Sequence, residues 1–296
     1  MADQPAVLIT GGSGFIGRNL AEYLTGAFLV VAPSRRELDL SDVDVVDRFF
    51  GSTHIDFVVH SATTPGHRNA QPAIDLVERD MRMFAALVRN RERFRKMIFI
   101  SSGSVYGRRL DRPKMKEESF GFYIPDDSAG FSKYCCECWS EHIEGVVELR
   151  PFGVFGKFED YAIRFISNAI CKVLFGLPIT IKQNKKFDYV YIDDLVRVVE
   201  RCLLEDAPCR SYNVTPDCAV ELKALAQMVV QVSGRDVPIL IKEPGMGLEY
   251  SGDNARLRKT FPGIELTPLA KSIAELYAWY QARRHTINRD LLLRDH

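Results

Sequence analysis

A glycine-rich turn near the N-terminus has the residue types and spacing of a phosphate-binding loop. The run TGGSGFIG at residues 10–17 places Gly11, Gly14 and Gly17 three residues apart, after an apolar strand-like segment and before a helix-period segment. In that context Gly11 allows a tight turn, Gly14 lets backbone N–H groups approach a pyrophosphate, and Gly17 lets the helix pack on the strand. Because a helix N-terminus adds positive potential, the turn predicts a dinucleotide-binding site.

The end of the second predicted strand carries basic rather than acidic side chains. A dinucleotide site that binds NAD usually has an acidic residue there, which binds the ribose hydroxyls. Here the strand at 28–32 is followed by Ser34, Arg35 and Arg36. A hydroxyl and two guanidinium groups suit a 2′-phosphate, so we expect NADP in preference to NAD. The alternative is a pair of ordinary solvated arginines.

The apolar pattern of the first half predicts alternating strands and helices. Strands are predicted at 6–10, 28–32, 57–60, 96–101 and 145–149, and helices at 18–24, 43–50, 73–90 and 128–143. Alternation of this kind predicts an α/β fold with a doubly wound parallel sheet of Rossmann type.

Beyond Pro151 the alternation weakens, which predicts a second, smaller C-terminal α/β domain. Helices are predicted there at 161–175 and 222–233, and strands at 178–182 and 237–241. We expect residues 1–156 to form the dinucleotide-binding domain, with a returning segment near 185–215, and residues 157–296 to form mainly the substrate-binding domain. A ligand would then lie in the cleft between them.

Composition and charge exclude several classes of protein. The 296 residues are 46% hydrophobic and 26% charged, as in a globular protein, and 39 basic against 39 acidic side chains leave no net charge to attract nucleic acid or a membrane surface. No apolar run approaches the about 20 residues of a membrane helix, and no leader is visible, so we expect a cytoplasmic protein. The seven cysteines and His60 show no metal-ligand spacing, which predicts reduced thiols and no metal site.

Several motifs occur in the order found in one known family. Besides the glycine turn they are DL at 39–40, HSAT at 60–63, SSGSVYG at 101–107, SK at 132–133, LRPF at 149–152, YVYIDDL at 189–195 and YNV at 212–214. Over nearly its whole length the chain resembles the extended short-chain dehydrogenase/reductases, which are nucleotide-sugar epimerases, dehydratases and 4-keto-sugar reductases. The resemblance implies an NAD(P) cofactor held by Gly11, Ser13, Gly14, Phe15, Ile16, Gly17, Ser34, Arg35, Arg36, Asp39, Leu40, Ser61, Ala62, Thr63, Lys133 and Pro151.

The resemblance also implies a catalytic serine, tyrosine and lysine. Ser102 matches the first and Lys133 the third, but the tyrosine slot four residues before Lys133 holds Ala129, which has no proton to donate. In the family that tyrosine is the general acid/base, and the lysine ammonium lowers its pKa. Three explanations remain open: an engineered substitution that inactivates the enzyme, a natural enzyme that uses Tyr123, water or the substrate itself, and a catalytically silent dinucleotide-binding sensor or scaffold.

The residues after Ser102 favour hydride transfer over the family's other reactions. Family dehydratases place an acidic pair where this chain has Gly103 and Ser104, so elimination of water is disfavoured. The GDP-fucose synthases, which SRRELDLSD at 34–42 also resembles, carry at the position of Ser104 a cysteine, which titrates far below a serine hydroxyl. We therefore expect reduction at C4 of a 4-keto nucleotide sugar, with 4-epimerisation as the alternative.

Other residues match positions at which relatives contact the substrate. Ser102 and Ser104 would face the sugar, while Asn168, Lys186 and Arg256 would hold its diphosphate and nucleoside. For the last three, an ordinary polar side chain is the alternative.

Relatives often form homodimers through two helices, which correspond here to residues 73–90 and 128–143. We therefore expect a homodimer, with Phe84, Leu87, Cys135 and Cys136 lining an apolar four-helix contact.

Overall fold

The computed structural model of the protein describes residues 4–65, 75–108 and 112–294. The strands in chain order are β1 (Ala6–Thr10), β2 (Leu29–Val31), β3 (Phe57–His60), β4 (Lys96–Ile100), β5 (Val146–Pro151), β6 (Val154–Phe155), β7 (Ile179–Asn184), β8 (Lys186–Phe187), β9 (Val190–Tyr191), β10 (Ser211–Val214), β11 (Val220–Glu221) and β12 (Ile239–Met246). The α-helices are α1 (Phe15–Leu24), α2 (Val43–Ser52), α3 (Leu76–Arg89), α4 (Ser128–Ser140), α5 (Phe165–Leu174), α6 (Ile192–Leu204), α7 (Leu222–Ser233), α8 (Ala255–Thr260), α9 (Leu269–Ala282) and α10 (Arg289–Leu292).

A six-stranded parallel sheet forms the centre of the molecule, in the order β10-β5-β4-β3-β1-β2. Every residue of β1, β3, β5 and β10 is buried, as expected for a parallel sheet that is covered on both faces. The strand order reverses between β1 and β3, and a doubly wound sheet opens a ligand crevice at that point, beyond the carboxyl ends of the strands. The predicted Rossmann-type fold is confirmed.

Helices cover both faces of this sheet. On one face, α1 packs against α6 through a core that includes Leu20, Leu24 and Leu195. On the other face, α2, α3 and α4 contribute Val46, Phe84 and Cys136 to a second core, as their apolar spacing requires.

The C-terminal half is joined to the sheet through a shared core. Helices α5, α7 and α9 pack together, and their buried side chains belong to the same apolar cluster as those of α1 and α6. Three two-stranded pairs lie in this half: parallel β7–β12, antiparallel β8–β11 and parallel β6–β9. Strand β10 returns to the central sheet, where Tyr212 pairs with Leu149 of β5.

Some element boundaries differ from those predicted. Helix α5 begins at Phe165 rather than at residue 161, because the Asp160 side chain accepts the Ala162 N–H at 3.0 Å and turns the chain before the helix. Strand β12 continues to Met246 rather than 241, since its pairing with β7 extends that far. The first residues of the predicted helix at 73–90 lie outside the described residues.

The side chains expected at a subunit contact are placed differently. Phe84, Leu87 and Cys136 are fully buried within this chain, because α3 and α4 pack on each other and on the sheet, so their assignment to a dimer contact was wrong. Cys135 is half-buried, and all seven cysteines are free thiols. Among the described residues, no helix has the length and apolar character needed to cross a membrane.

Candidate active site

The glycine turn lies at the point where the strand order reverses, between the ends of β1 and β3. Gly11 has a φ of +73°, and a Cβ there would lie 2.8 Å from the Ala62 backbone. A Cβ at Gly17 would lie 2.1 Å from the Gly11 carbonyl oxygen. Both positions therefore require glycine, since the backbones of the turn, α1 and the segment after β3 approach too closely for a side chain.

The N-terminus of α1 is open to an anion. Gly14 is its N-cap and provides no side-chain cap, and the first turn of the helix contains no acidic residue. By contrast, Asp42 caps α2 and Asp127 caps α4. The first N–H groups of a helix lack partners within the helix, so α1 offers uncapped donors beside the exposed Ser13. This arrangement suits a phosphate.

Of the two arginines that follow β2, one is paired. Arg35 lies 3.5 Å from the Asp39 carboxylate, whereas Arg36 forms no ion pair with any of the residues that the structure describes. The Ser34 N–H donates to the Glu37 side chain at 2.7 Å, and the exposed Ser34 lies two residues before Arg36. Arg36 and Ser34 are thus the groups available to a second phosphate.

Hydrogen bonds hold the segment after β3 against the glycine turn and against α3. The Ser61 hydroxyl donates to the Thr10 carbonyl at 2.7 Å, and the Ala62 N–H reaches the Thr10 hydroxyl at 3.3 Å. The Thr63 hydroxyl donates to the Asp80 carboxylate at 2.9 Å. These contacts bring the predicted cofactor residues after β1 and β3 together at one edge of the sheet.

His60 is a structural residue of this edge. Its Nδ1 lies 2.8 Å from the Thr10 hydroxyl, and its ring stacks on Phe99 with 5.5 Å between ring centres. Burial, aided by the Lys133 charge, lowers the pKa of His60 to about 3, so the imidazole is neutral. Within the described ranges, no group of three or more ligand-type side chains is placed to hold a metal ion.

Ser102 and Lys133 both lie at the carboxyl end of β4. Ser102 follows β4 and accepts the Ser104 N–H at 3.1 Å, which caps a short 3₁₀ turn. The Lys133 ammonium, on α4, donates to the Ile100 carbonyl at 3.0 Å and lies 4.6 Å from the centre of the Phe99 ring. Burial lowers the pKa of Lys133, while the Asp80 carboxylate acts in the opposite direction. Ala129 lies one helical turn before Lys133, on the same side of α4.

The other predicted contact residues have varied surroundings. Pro151 is buried at the end of β5, and Ser104 is buried in the 3₁₀ turn. The Asn168 amide donates to the Tyr161 carbonyl at 3.0 Å, and Lys186 is exposed on β8. The Arg256 guanidinium donates to the Glu118 carboxylate at 2.5 Å and to the Ser211 carbonyl at 3.1 Å, so it is already paired within the chain.

A buried charged network behind Ser102 was not predicted. Arg150 of β5 pairs with Glu137 of α4 and with Glu148, at 2.5 and 3.3 Å, and all three side chains are closed to solvent. Its Nη1 also donates to the Tyr106 hydroxyl at 2.8 Å. The sequence signal was present, because Glu148 and Arg150 interrupt an otherwise apolar strand.

Two further polar groups near Ser102 carried no sequence signal. The Tyr250 hydroxyl and the Asp127 Oδ2 atom are both buried and have no hydrogen-bond partner among the described residues. Tyr250 comes from the loop between β12 and α8, and Asp127 precedes α4.

A groove of about 440 Å³ lies away from this crevice, between α6 and the loop at 263–268. Its arginines are already paired: Arg197 with Asp194, and Arg201 with Glu205. The groups that could do chemistry therefore belong to the crevice and not to this groove.

The fold and the crevice together define a class of protein. A doubly wound parallel sheet with a glycine turn at its switch point is a Rossmann-type dinucleotide-binding fold. The chain belongs to the NAD dependent epimerase/dehydratase family, whose model matches residues 7–215.

Individual relatives are distant in sequence but similar in fold. A GDP-6-deoxy-D-talose 4-dehydrogenase of Aggregatibacter actinomycetemcomitans is 23% identical over 84% of this chain and 92% of its own. The solved GDP-mannoheptose C4 reductase of Campylobacter jejuni, with NADP bound, has a TM-score of 0.80 at 19% identity, covering 95% of this chain and 99% of that one. A UDP-glucose 4-epimerase of Thermotoga maritima gives 0.79 at 20% identity, covering 94% and 99%.

Proposed function

We propose that this chain is an NADP-dependent reductase that acts at C4 of a 4-keto nucleotide sugar. The observation that supports the proposal most directly is that Ser102 and Lys133 lie at the same strand end, on the edge of the sheet that also carries the glycine turn. Lys133 bonds the Ile100 carbonyl, two residues before Ser102, at 3.0 Å. We assign Ser102 to the reacting oxygen of the sugar and Lys133 to the cofactor ribose and to electrostatic assistance.

The residues of the crevice fit a dinucleotide that carries a 2′-phosphate. The open N-terminus of α1 suits the pyrophosphate, and Arg36 with Ser34 suits the 2′-phosphate. When bound, the reduced cofactor supplies hydride. The chain's own contribution is to bind and orient it, for which we propose contacts from Gly11, Ser13, Gly14, Phe15, Ile16, Gly17, Asp39, Leu40, Ser61, Ala62, Thr63 and Pro151.

Two features favour reduction at C4. Gly103 and Ser104 provide no acidic pair after Ser102, so this segment has no carboxyl group to drive elimination. Two of the relatives described above are named as a 4-dehydrogenase and a C4 reductase. For the substrate we propose contacts from Ser104, Asn168 and the exposed Lys186, with Arg256 contributing only if it leaves Glu118.

A second candidate, a dinucleotide sensor without turnover, is favoured by Ala129. A thermal-shift panel with NADPH and UDP-, GDP-, CDP- and dTDP-sugars distinguishes the two, because a ligand that binds only the folded state raises its stability. If the chain is a reductase, one nucleotide adds stability beyond that given by NADPH. A response to NADPH alone supports the sensor and contradicts the reductase.

The alternative enzymatic reaction, 4-epimerisation, differs in its use of cofactor. An epimerase returns the hydride to the sugar, whereas a reductase consumes one NADPH for each product formed. Loss of absorbance at 340 nm in proportion to product therefore supports the reductase, and product formed without net NADPH loss supports the epimerase.

A tyrosine at residue 129 tests whether the chain is an inactivated variant. If an engineered substitution replaced the parent enzyme's tyrosine, Ala129→Tyr restores the acid/base group and raises turnover by at least about 10²-fold. Unchanged turnover on every sugar in the panel excludes that explanation.

We also propose that the chain is a homodimer that uses the outer face of α4. Phe131 and Trp139 are 37% and 42% exposed, and their spacing of eight residues places them on one side of the helix. Sedimentation at micromolar concentration tests this, and a monomer there contradicts it.

A further inference from the structure

Tyr250 is fixed close to Ser102 by backbone bonds to β8 and the turn after it, and by an aromatic ring. Its N–H donates to the Lys186 carbonyl and its carbonyl accepts the Asp188 N–H, both at 3.1 Å. Its ring packs on Phe152, with 4.9 Å between ring centres. The same Phe152 ring covers Gly103, where an added Cβ would lie 2.7 Å from it. One aromatic ring thus touches both Tyr250 and the residue that follows Ser102.

The Tyr250 hydroxyl has no hydrogen-bond partner among the described residues, although it is closed to solvent. Its polar neighbours are the Ser102 hydroxyl and the Arg108 guanidinium, whose central carbon lies 5.7 Å from the centre of the ring. Burial raises the pKa of Tyr250, while Arg108 and Ser102 partly oppose that shift. The phenol is therefore protonated at neutral pH, as a proton donor must be.

A buried acceptor without a partner lies on the α4 side of the same region. Asp127 caps α4 through Oδ1, which accepts the Gly130 N–H at 2.8 Å, and its Oδ2 has no partner among the described residues. A Cβ added at Gly130 would lie 3.0 Å from this Oδ2 and 3.0 Å from the Ser104 carbonyl oxygen. The negative charge of the Asp127 carboxylate also raises the pKa of Tyr250.

Unpaired buried polar atoms are unfavourable, and a ligand is one way to satisfy them. Here the unpaired hydroxyl lies near Ser102, and the unpaired carboxylate oxygen belongs to the residue two positions before Ala129. A sugar with a carbonyl next to a hydroxyl would satisfy both, since the phenol donates to the carbonyl oxygen and the carboxylate accepts from the hydroxyl.

We infer that Tyr250 is the catalytic proton donor of the proposed reduction, acting beside Ser102 in place of the group that is lacking at Ala129. The inference rests on the proposed function, because it names the donor for that reaction. It also specifies the substrate as a ketone whose neighbouring carbon carries a hydroxyl group that Asp127 can bind.

The atoms of the step balance. A C–H bond forms at the carbonyl carbon with hydride from the reduced nicotinamide, and the π pair of the carbonyl moves to its oxygen. The Tyr250 O–H bond breaks as its proton passes to that oxygen, which completes the alcohol. The phenolate then takes a proton from water, and Arg108 stabilises its negative charge until it does.

The test compares four full-length proteins: the wild type, Tyr250→Phe, Tyr123→Phe and the control Tyr134→Phe. Tyr134 contacts the Phe120 ring and lies about 100° around α4 from Lys133. The probe is GDP-4-keto-6-deoxymannose with NADPH, or dTDP-4-keto-6-deoxyglucose if the panel selects dTDP. We expect Tyr250→Phe to lower kcat by about 10²- to 10⁴-fold and to raise KM by no more than about 10-fold, and Tyr134→Phe to leave both unchanged.

Two further measurements test the role of the phenol: the affinity for the keto sugar and the pH dependence of kcat. With NADP⁺, which cannot reduce the ketone, calorimetry should show the keto sugar binding about 3- to 10-fold more weakly to Tyr250→Phe than to the wild type, because one hydrogen bond is lost. In the wild type, kcat should fall at alkaline pH as the phenol ionises. Incorporation of 3-fluorotyrosine, which lowers the phenol pKa, should move this limb to lower pH without removing a contact, even if Tyr250→Phe folds poorly.

Other results would overturn the inference, the proposed function, or both. Wild-type kcat and keto-sugar affinity in Tyr250→Phe, or an alkaline limb that 3-fluorotyrosine leaves in place, overturn the inference while the reductase stands. Loss of turnover in Tyr123→Phe alone assigns the donor to Tyr123 and also overturns it. If the wild type binds NADPH but no nucleotide sugar, the proposed function fails, and the inference fails with it.

Discussion

The Ser101 hydroxyl donates a hydrogen bond to the Glu137 carboxylate, which joins the end of β4 to the middle of α4. Ser101 directly precedes Ser102, and Glu137 lies one helical turn beyond Lys133. The same carboxylate pairs with Arg150 of β5 at 2.5 Å. A buried network therefore holds the strand that ends at Ser102 and the helix that carries Lys133 in one relative position.

Neutralising Glu137 should destabilise the protein strongly. Burial raises the pKa of Glu148, the other carboxylate near Arg150, to about 8, so Arg150 depends on Glu137 for its counter-charge at neutral pH. We expect Glu137→Gln to lower the free energy of unfolding by about 3–5 kcal/mol, as when one partner of a buried ion pair is removed. Urea denaturation measures it, with the exposed Glu141→Gln as a control expected within about 0.5 kcal/mol. Equal stability of the two variants would contradict this account.

The two arginines after β2 should contribute unequally to cofactor choice. Arg36 has no ionic partner among the described residues, whereas Arg35 is 3.5 Å from Asp39. We expect Arg36→Ala to raise the Kd of NADP by about 10-fold or more while the Kd of NAD stays constant, because a charged hydrogen bond contributes about 1.5–3 kcal/mol. Arg35→Ala should have a smaller effect, and the exposed Arg48→Ala on α2 none. Calorimetry with both cofactors measures these constants, and a wild type that prefers NAD would refute the NADP assignment.

Glu159 should make the stability depend on pH. Burial raises its pKa from 4.5 to about 8 in the folded protein, although the Ser167 hydroxyl donates to it at 2.5 Å. Between these values the unfolded chain releases a proton that the folded chain keeps, so the stabilisation is complete below about pH 4.5 and is lost as pH rises to 8. The stability from this group should fall by up to about 1.4 kcal/mol per pH unit between about pH 5 and 8.

Glu159→Gln removes the titrating group and tests this dependence. We expect its free energy of unfolding, measured in urea at several pH values, to decline less steeply than that of the wild type, whereas Glu141→Gln follows the wild type. The same slope in all three proteins would show that Glu159 is not protonated in the folded state.

Asp80 should position Lys133 and the segment after β3. Its carboxylate accepts the Thr64 N–H at 2.7 Å and the Thr63 and Ser132 hydroxyls, each at 2.9 Å. An asparagine offers one acceptor oxygen instead of two, so we expect Asp80→Asn to lower the free energy of unfolding by about 1–3 kcal/mol.

Because Asp80 is charged, Asp80→Asn should also change the pKa of Lys133. Since Asp80 opposes the lowering of the Lys133 pKa by burial, Asp80→Asn should lower that pKa further, which NMR of labelled lysine detects. Glu78→Gln, which removes an exposed pair with Arg82 at 2.8 Å on the same helix, is the matched control and should cost less than about 0.5 kcal/mol. An unchanged Lys133 pKa in Asp80→Asn would contradict the coupling.

Local patterns were sufficient for the first half of the fold. The spacing of Gly11, Gly14 and Gly17 and the apolar runs around them determine a strand, a turn and a helix through near neighbours alone. The predicted β1 and β3 therefore match the structure, and α1 differs only in its start, at Phe15 rather than at residue 18. The start of α5 differed because it depends on the Asp160 side chain, a capping detail that apolar periodicity does not contain.

The sequence predicted the surroundings of individual side chains only in part. Arg256 could be marked as a cation, but its pairing with Glu118, 138 positions away, depends on how α8 meets the loop after residue 116. Phe84 and Leu87 could be marked as apolar, yet the pattern does not say whether an apolar stripe faces the chain's own core or a second subunit.

The sequence by itself determined the class of sheet, the crevice with its open helix N-terminus, and the absence of a tyrosine at residue 129, because each depends on residue type and short spacing. Only the tertiary structure decided that Tyr250 lies beside Ser102, that Arg36 rather than Arg35 lacks an ionic partner among the described residues, and that Glu137 lies against Arg150. These facts depend on burial and on contacts between distant segments, and such contacts exist only after the chain has folded.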